Sequence, residues 1–134
     1  MCAVLLSFSF VGGESYTIHL NSKLLVDQHI HSKSTVPSLS LANASSSDQI
    51  SVYFNECGRI GVGRKLTLKD EKETLLKEWR FKNSDEERNS MTCSVKDIQS
   101  FKQKGRVKLY YDSEKSTGKL LAIINLNDDV KARK

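Results

Sequence analysis

Asp27, His29 and His31 form the set of side chains in this sequence best suited to chemistry. They lie at every second position, so on an extended strand they share one face, opposite Val26. Two imidazoles and a carboxylate are ligand types that bind zinc and other transition metals. The competing interpretation is a polar sheet face turned to water, which the sequence favours because no fourth ligand is specified. His19 supplies one only if its strand pairs with this one.

A glycine-rich segment at 58–65 carries Arg59, Arg64 and Lys65. Its glycine spacing matches neither the P-loop nor the dinucleotide-binding pattern. It also precedes a predicted strand, so no helix N-terminus is available to hold an anion. We interpret it as a bent connection whose basic residues form a small anion-attracting patch. That patch predicts, as an alternative function, weak binding of nucleic acid or anionic surfaces.

Aromatic residues fall on both faces of the predicted strands. Trp79, Phe81 and Tyr111 share the parity of their apolar neighbours, which predicts core positions. Tyr53 and Tyr110 have the opposite parity, which predicts exposure to solvent. Because tyrosine is enriched where proteins bind each other, these two are candidate binding residues.

The cysteines and serines indicate no catalytic site. Cys2, Cys57 and Cys93 form no Cys-x-x-Cys pair, so a zinc ribbon or a thioredoxin motif is excluded by spacing. Cys57 and Cys93 are buried thiols or, in an oxidising compartment, partners in a disulfide. No serine lies in a Gly-x-Ser-x-Gly motif. We therefore predict a protein that is not an enzyme and has no cofactor.

Composition places the chain among single globular domains. It has 134 residues, of which 38% are hydrophobic and 28% charged. The formal net charge is +5. Basic residues alternate with acids, as at 69–73, a pattern typical of solvated surfaces and not of a phosphate-binding track. We therefore do not expect nucleic acid to be the main partner.

The N-terminal residues 1–15 allow two interpretations. The stretch 3–13 carries no charge and is shorter than the ~20 residues that span a bilayer. It resembles the apolar part of a signal peptide that lacks its basic start, which predicts a secreted or periplasmic protein. Alternatively Leu6, Phe8 and Phe10 alternate with serines as a first strand. A cytoplasmic protein is the alternative to a secreted or periplasmic one.

The remaining chain alternates apolar and polar residues in short runs separated by turn residues. This pattern predicts about seven or eight strands. Ser94 and Asp97 resemble a capping pair, and apolar residues at helical spacing follow, so one short helix is expected near 94–102.

The predicted fold is all-β and mainly antiparallel: a two-sheet β-sandwich over residues 16–126, immunoglobulin-like or C2-like, with a polar C-terminal tail at 127–134. A small open barrel is the second candidate. The predicted function is a non-enzymatic binding or structural module that contacts a protein or glycan through loops, a sheet face or an edge strand. Its oligomeric state stays open.

Overall fold

The computed structural model describes residues 14–29, 35–55, 61–82 and 90–127. Within these ranges the chain forms nine strands. In chain order they are β1 (Ser15–Leu20), β2 (Lys23–His29), β3 (Ser38–Ser40), β4 (Gln49–Asn55), β5 (Lys65–Lys69), β6 (Leu75–Arg80), β7 (Ser90–Ser94), β8 (Arg106–Asp112) and β9 (Lys119–Asn125). A helix, α1 (Val95–Gln99), and a 3₁₀ turn at Lys102–Lys104 connect β7 to β8.

The strands assemble into two sheets. The smaller sheet has four strands in the order β2-β1-β4-β7, and the larger has five in the order β3-β9-β8-β5-β6. Every pairing between described strands is antiparallel except that of β3 with β9. The predicted all-β, mainly antiparallel sandwich is thus confirmed. The immunoglobulin-like or C2-like topology stays a prediction.

Side-chain alternation decides which face of each strand is buried. In β4, Ile50, Val52 and Phe54 point inward and are buried, whereas Tyr53 points outward. Strand residues alternate between faces, so this period-two pattern gives one apolar and one polar face. The turn between β1 and β2 is made by Asn21, whose φ of 56° lies in the left-handed region that asparagine tolerates.

The predicted helix is present and is capped as the sequence indicates. The Ser94 hydroxyl accepts a hydrogen bond from the Lys96 amide at 3.1 Å. This bond satisfies one of the amide groups that a helix start leaves without a partner. Val95 and Ile98 bury the inner side of α1 against the sandwich.

Two leucines lie on the opposite face from the one that even spacing predicts. Even spacing predicts Leu24 on the inward face beside Val26, and Leu75 on the inward face beside Trp79. Both predictions are wrong, since Leu24 is 50% and Leu75 is 55% exposed. The pairing register shifts by one residue at Leu25 in β2, and a second bulge shifts β6. An extra residue in a bulge reverses the faces of the residues before it.

Three aromatic rings align the two sheets. Phe54 of β4 stacks on Tyr111 of β8, with ring centroids 4.0 Å apart and planes 15° apart. Tyr16 of β1 stacks beside Phe54 at 6.0 Å, and its hydroxyl donates to the Leu121 carbonyl of β9 at 2.6 Å. These contacts place β4 above β8 and β1 above β9.

Both chain ends lie partly outside the described residues. Residues 1–13, for which we predict a signal remnant or a first strand, are outside, and so is the polar tail from residue 128. Among the described residues, no helix is long and apolar enough to cross a membrane.

Replacing Phe54 by alanine tests the alignment of the sheets. We expect Phe54→Ala to lower the free energy of unfolding by about 3–5 kcal/mol, because it empties the centre of the aromatic stack. The adjacent outward variant, Tyr53→Ala, is the matched control and should cost less than about 1 kcal/mol. Urea denaturation of both variants measures the difference. Equal losses would contradict the inward and outward assignment of β4.

Candidate functional site

The outer face of the smaller sheet is nearly free of formal charge. Among its described strand residues, Asp27 is the one carboxylate, and no lysine or arginine points outward from the middle of these strands. The other outward side chains are hydroxyls, amides, imidazoles, a tyrosine and a leucine: Ser15, Thr17, His19, Leu24, His29, Gln49, Ser51, Tyr53, Asn55, Ser90 and Thr92. Such a surface carries little charge to desolvate when another molecule covers it.

Tyr53 is the most prominent side chain of this face. It is 41% exposed, as its parity predicts. His19 lies diagonally across the β1–β4 ladder, and the two rings meet edge to face with centroids 5.3 Å apart. Diagonal aromatic pairs of this kind interact favourably across strands. The contact therefore holds the Tyr53 ring in place while one side of it remains accessible.

The described candidate metal ligands do not all lie close together. Asp27 and His29 both lie exposed on the outer face, as predicted, while His31 lies outside the described residues. The β1–β2 register places Thr17 opposite Asp27, Ser15 opposite His29 and His19 opposite Leu24. At roughly 3.4 Å per residue, His19 lies about 14 Å along the strand from the level of His29, too far to share a metal with it.

No group of three or more His, Cys, Asp or Glu side chains in the described ranges is close enough to hold a metal ion. The Nδ1 atom of His19 is shielded from solvent and has no hydrogen-bond partner. The described role of the His19 side chain is therefore its ring contact with Tyr53.

The predicted basic patch is not assembled by its described members. Arg64 is 3% exposed, and its Nε donates to the Lys82 carbonyl at 2.8 Å. Its side chain is therefore buried between the Lys82 carbonyl and Gly61, where Arg64 Cδ would be 2.9 Å from a Cβ atom added at Gly61. Lys65 lies on the outer face of the larger sheet, 3.7 Å from Glu78. Arg59 lies outside the described residues.

The second predicted binding tyrosine, Tyr110, belongs to a charged cluster. Its hydroxyl donates to Glu73 at 2.9 Å, and the Lys108 ammonium lies 2.6 Å from the same carboxylate. The Lys69 ammonium lies 4.9 Å from the Tyr110 ring centroid. The hydrogen bond from Lys108, followed by that from Tyr110, lowers the pKa of Glu73. Tyr110 is thus engaged within the larger sheet instead of being presented to a partner.

Cys93 is a buried free thiol on the inner face of β7. Burial, followed by the charge of Asp97, raises its pKa to about 12. A thiol with so high a pKa is a poor nucleophile at neutral pH. Cys57 lies outside the described residues.

No protein-family model, no curated protein and no solved structure gives a significant match to this chain. The candidate binding site therefore rests on the geometry of this chain alone.

Sequence reasoning missed the contribution of Leu24 and of His19. Leu24 joins the outer face because of the bulge at Leu25, and the sequence carries no turn residue there that marks a bulge. His19 reaches Tyr53 only through the β1–β4 register, which depends on long-range pairing. For Tyr53, the alternation of apolar and polar residues along β4 was enough to predict its exposure.

The phenol pKa values give a pH dependence that can be measured. Burial raises the pKa of Tyr16 to about 12. For Tyr110, burial followed by the Glu73 hydrogen bond raises the pKa to about 12. Because these folded-state pKa values lie above the ordinary tyrosine pKa of 10.0, the stability that the two protonated phenols contribute is complete below pH 10 and is lost as pH rises toward 12.

We expect Tyr110→Phe to remove one of the phenols that ionise only at high pH, as measured by ultraviolet absorbance. The variant should also lose less stability than the wild-type protein as pH rises above 10. Tyr53→Phe is the matched control, since Tyr53 lies on the other sheet away from this cluster. A Tyr110→Phe protein with an unchanged titration curve above pH 10 would contradict the described Tyr110–Glu73 bond.

Proposed function

We propose that this protein is a non-enzymatic binding module that contacts a partner protein through the outer face of its smaller sheet. The observation that carries the proposal is the exposed Tyr53, supported by His19, on a face with a single described carboxylate. Protein interfaces are depleted in charge at their centre and enriched in tyrosine, which often contributes much of the binding energy.

The proposed binding face is preorganised. The His19 ring restricts Tyr53, and Ser51 shares a hydrogen bond with Thr92 at 3.1 Å across two strands. Side chains already fixed on strands lose less conformational entropy when a partner binds, so more of the contact energy is available for affinity.

The outer face of the larger sheet is charged, and this difference supports the smaller sheet as the binding face. The charges of the larger sheet are paired: Glu78 lies 2.6 Å from Arg80, and Glu73 lies 2.6 Å from Lys108. A partner that covered these pairs would have to remove water from several ions, which is costly. The larger sheet is thus suited to contact with solvent, and the smaller sheet to contact with a partner.

Site-specific photocrosslinking tests the proposal. A benzophenone amino acid placed at position 53 should give one discrete protein adduct in extracts of cells that make this protein. The same group at Lys108, on the opposite outer face, is the matched control and should give none. Excess wild-type protein should compete the adduct away, and excess Tyr53→Ser protein should compete at least about tenfold less well.

Adducts of equal yield from both faces, or an adduct that Tyr53→Ser competes as well as wild type, would contradict the proposed face.

Export belongs to the same proposal. The uncharged apolar stretch at 3–13 supports a secreted or periplasmic protein whose mature chain begins near Glu14. Mass spectrometry of the protein recovered outside the cytosol should then give a mass that lacks the first 13 residues. A full-length chain retained in the cytosol would instead support the alternative of a first strand at 1–15.

A further inference from the structure

The edge strand β7 presents unused backbone hydrogen-bonding groups. Within the described residues β7 pairs with β4 alone, with Cys93 opposite Ile50 and Met91 opposite Val52. The Val95 amide continues this ladder by donating to the Asp48 carbonyl at 3.1 Å. Because successive residues of a strand direct their amide and carbonyl groups to opposite sides, those of Ser90 and Thr92 point away from β4.

Among the described edges, β7 lacks the features that usually prevent further pairing. The edge strand β2 carries a bulge and two charged residues, and β6 carries a bulge and three. The edge strand β3 has only three residues. β7 has the sequence Ser-Met-Thr-Cys-Ser, with no charge, no proline and a continuous register. Bulges, charges and short length are the devices by which proteins protect edges, so β7 is an unprotected edge.

The larger sheet extends beyond β7 by one strand. Since β1 lies above β9 and β4 above β8, the strand orders place β7 above β5 and leave β6 without a described strand opposite it. The burial pattern agrees, because β6 is the one described strand of the larger sheet with no buried residue. Trp79, on the inward side of β6 opposite Leu66, is only half-buried for this reason.

We propose that the β7 edge binds an extended segment of a partner protein by strand addition, with the added strand filling the space above β6. This surface is separate from the outer face that carries Tyr53. The inward side chains of an added strand would meet Trp79 and, two residues away, Lys77, whose ammonium lies 5.9 Å from the indole centroid. The ligand is therefore a strand-forming segment with an apolar residue facing Trp79 and an acidic residue facing Lys77.

A second copy of this chain fits the same edge poorly. If β7 paired with β7 of another copy, each smaller sheet would continue into the other. The overhanging β6 of each copy would then need the space opposite the other copy's β7, which that copy's own β5 already fills. A single strand without its own second sheet avoids this conflict. Space for one strand thus favours a peptide segment over a dimer.

Trp79 provides the readout, because it is the only tryptophan in the chain. The probe is the peptide Thr-Val-Thr-Glu-Thr-Val-Thr, and its charge-reversed control has lysine in place of glutamate. In the full-length protein we expect the glutamate peptide to shift Trp79 emission to shorter wavelength in a saturable way. The lysine peptide should bind at least about tenfold more weakly, because its charge repels Lys77.

Two variants test the edge and the charge preference separately. Thr92→Pro removes the outward amide without breaking a backbone hydrogen bond to β4, although it loses the hydroxyl contact with Ser51. It should abolish the shift, since proline is tolerated at a solvent-facing edge position. Thr92→Val, which also loses the hydroxyl but keeps the amide, should bind like wild type. Lys77→Glu, at a partly exposed position, should reverse the preference between the two peptides.

Three outcomes would overturn the proposal. The first is that neither peptide shifts Trp79 emission in the wild-type protein. The second is a shift that survives Thr92→Pro, which would place the peptide elsewhere. The third is that Thr92→Pro, without peptide, destabilises the protein far more than Thr92→Val does or shifts Trp79 emission to longer wavelength. That result would mean that another part of this chain, or a second copy, already occupies the edge.

Discussion

The stack of Phe54 on Tyr111 is the contact on which the rest of the structure depends. Its two rings come from different sheets and lie 4.0 Å apart, so they fix which strand faces which. Tyr16 extends the stack and bonds to the Leu121 carbonyl. Gly61 allows a loop to close over the same ring, because a Cβ atom there would lie 2.9 Å from the Tyr111 hydroxyl. Burial of these rings contributes both area and specific geometry.

This alignment makes the two sheets unequal in what they can do. The larger sheet turns a charged, internally paired surface to water and extends one strand beyond its neighbour. The smaller sheet has a nearly uncharged outer face with Tyr53 at its centre and an unprotected edge at β7. Both proposed interactions belong to the smaller sheet, and they use different physical means. The outer face offers fixed side chains, whereas the edge offers backbone hydrogen bonds.

Local patterns in the sequence were enough to predict the fold class, the inward and outward faces of β4 and the capped helix at Ser94. They were also enough to expose Tyr53 and to bury Tyr111. Patterns could not predict the outward position of Leu24 or Leu75, because each depends on a bulge that no residue type in the sequence marks. They could not show that Arg64 is buried, or that His19 lies nearer to Tyr53 than to His29, because both depend on packing between distant segments. Patterns also could not show that β6 has no described strand opposite it, because that follows from the alignment of both sheets.

Amide hydrogen exchange along β7, measured by NMR on the full chain, tests the alignment and its open edge most directly. We predict slow exchange at Met91 and Cys93, whose amides bond to β4, and fast exchange at Thr92, whose amide points away from β4. Protection at Thr92 equal to that at Cys93 would contradict this prediction, because it would mean that the β7 edge is already closed.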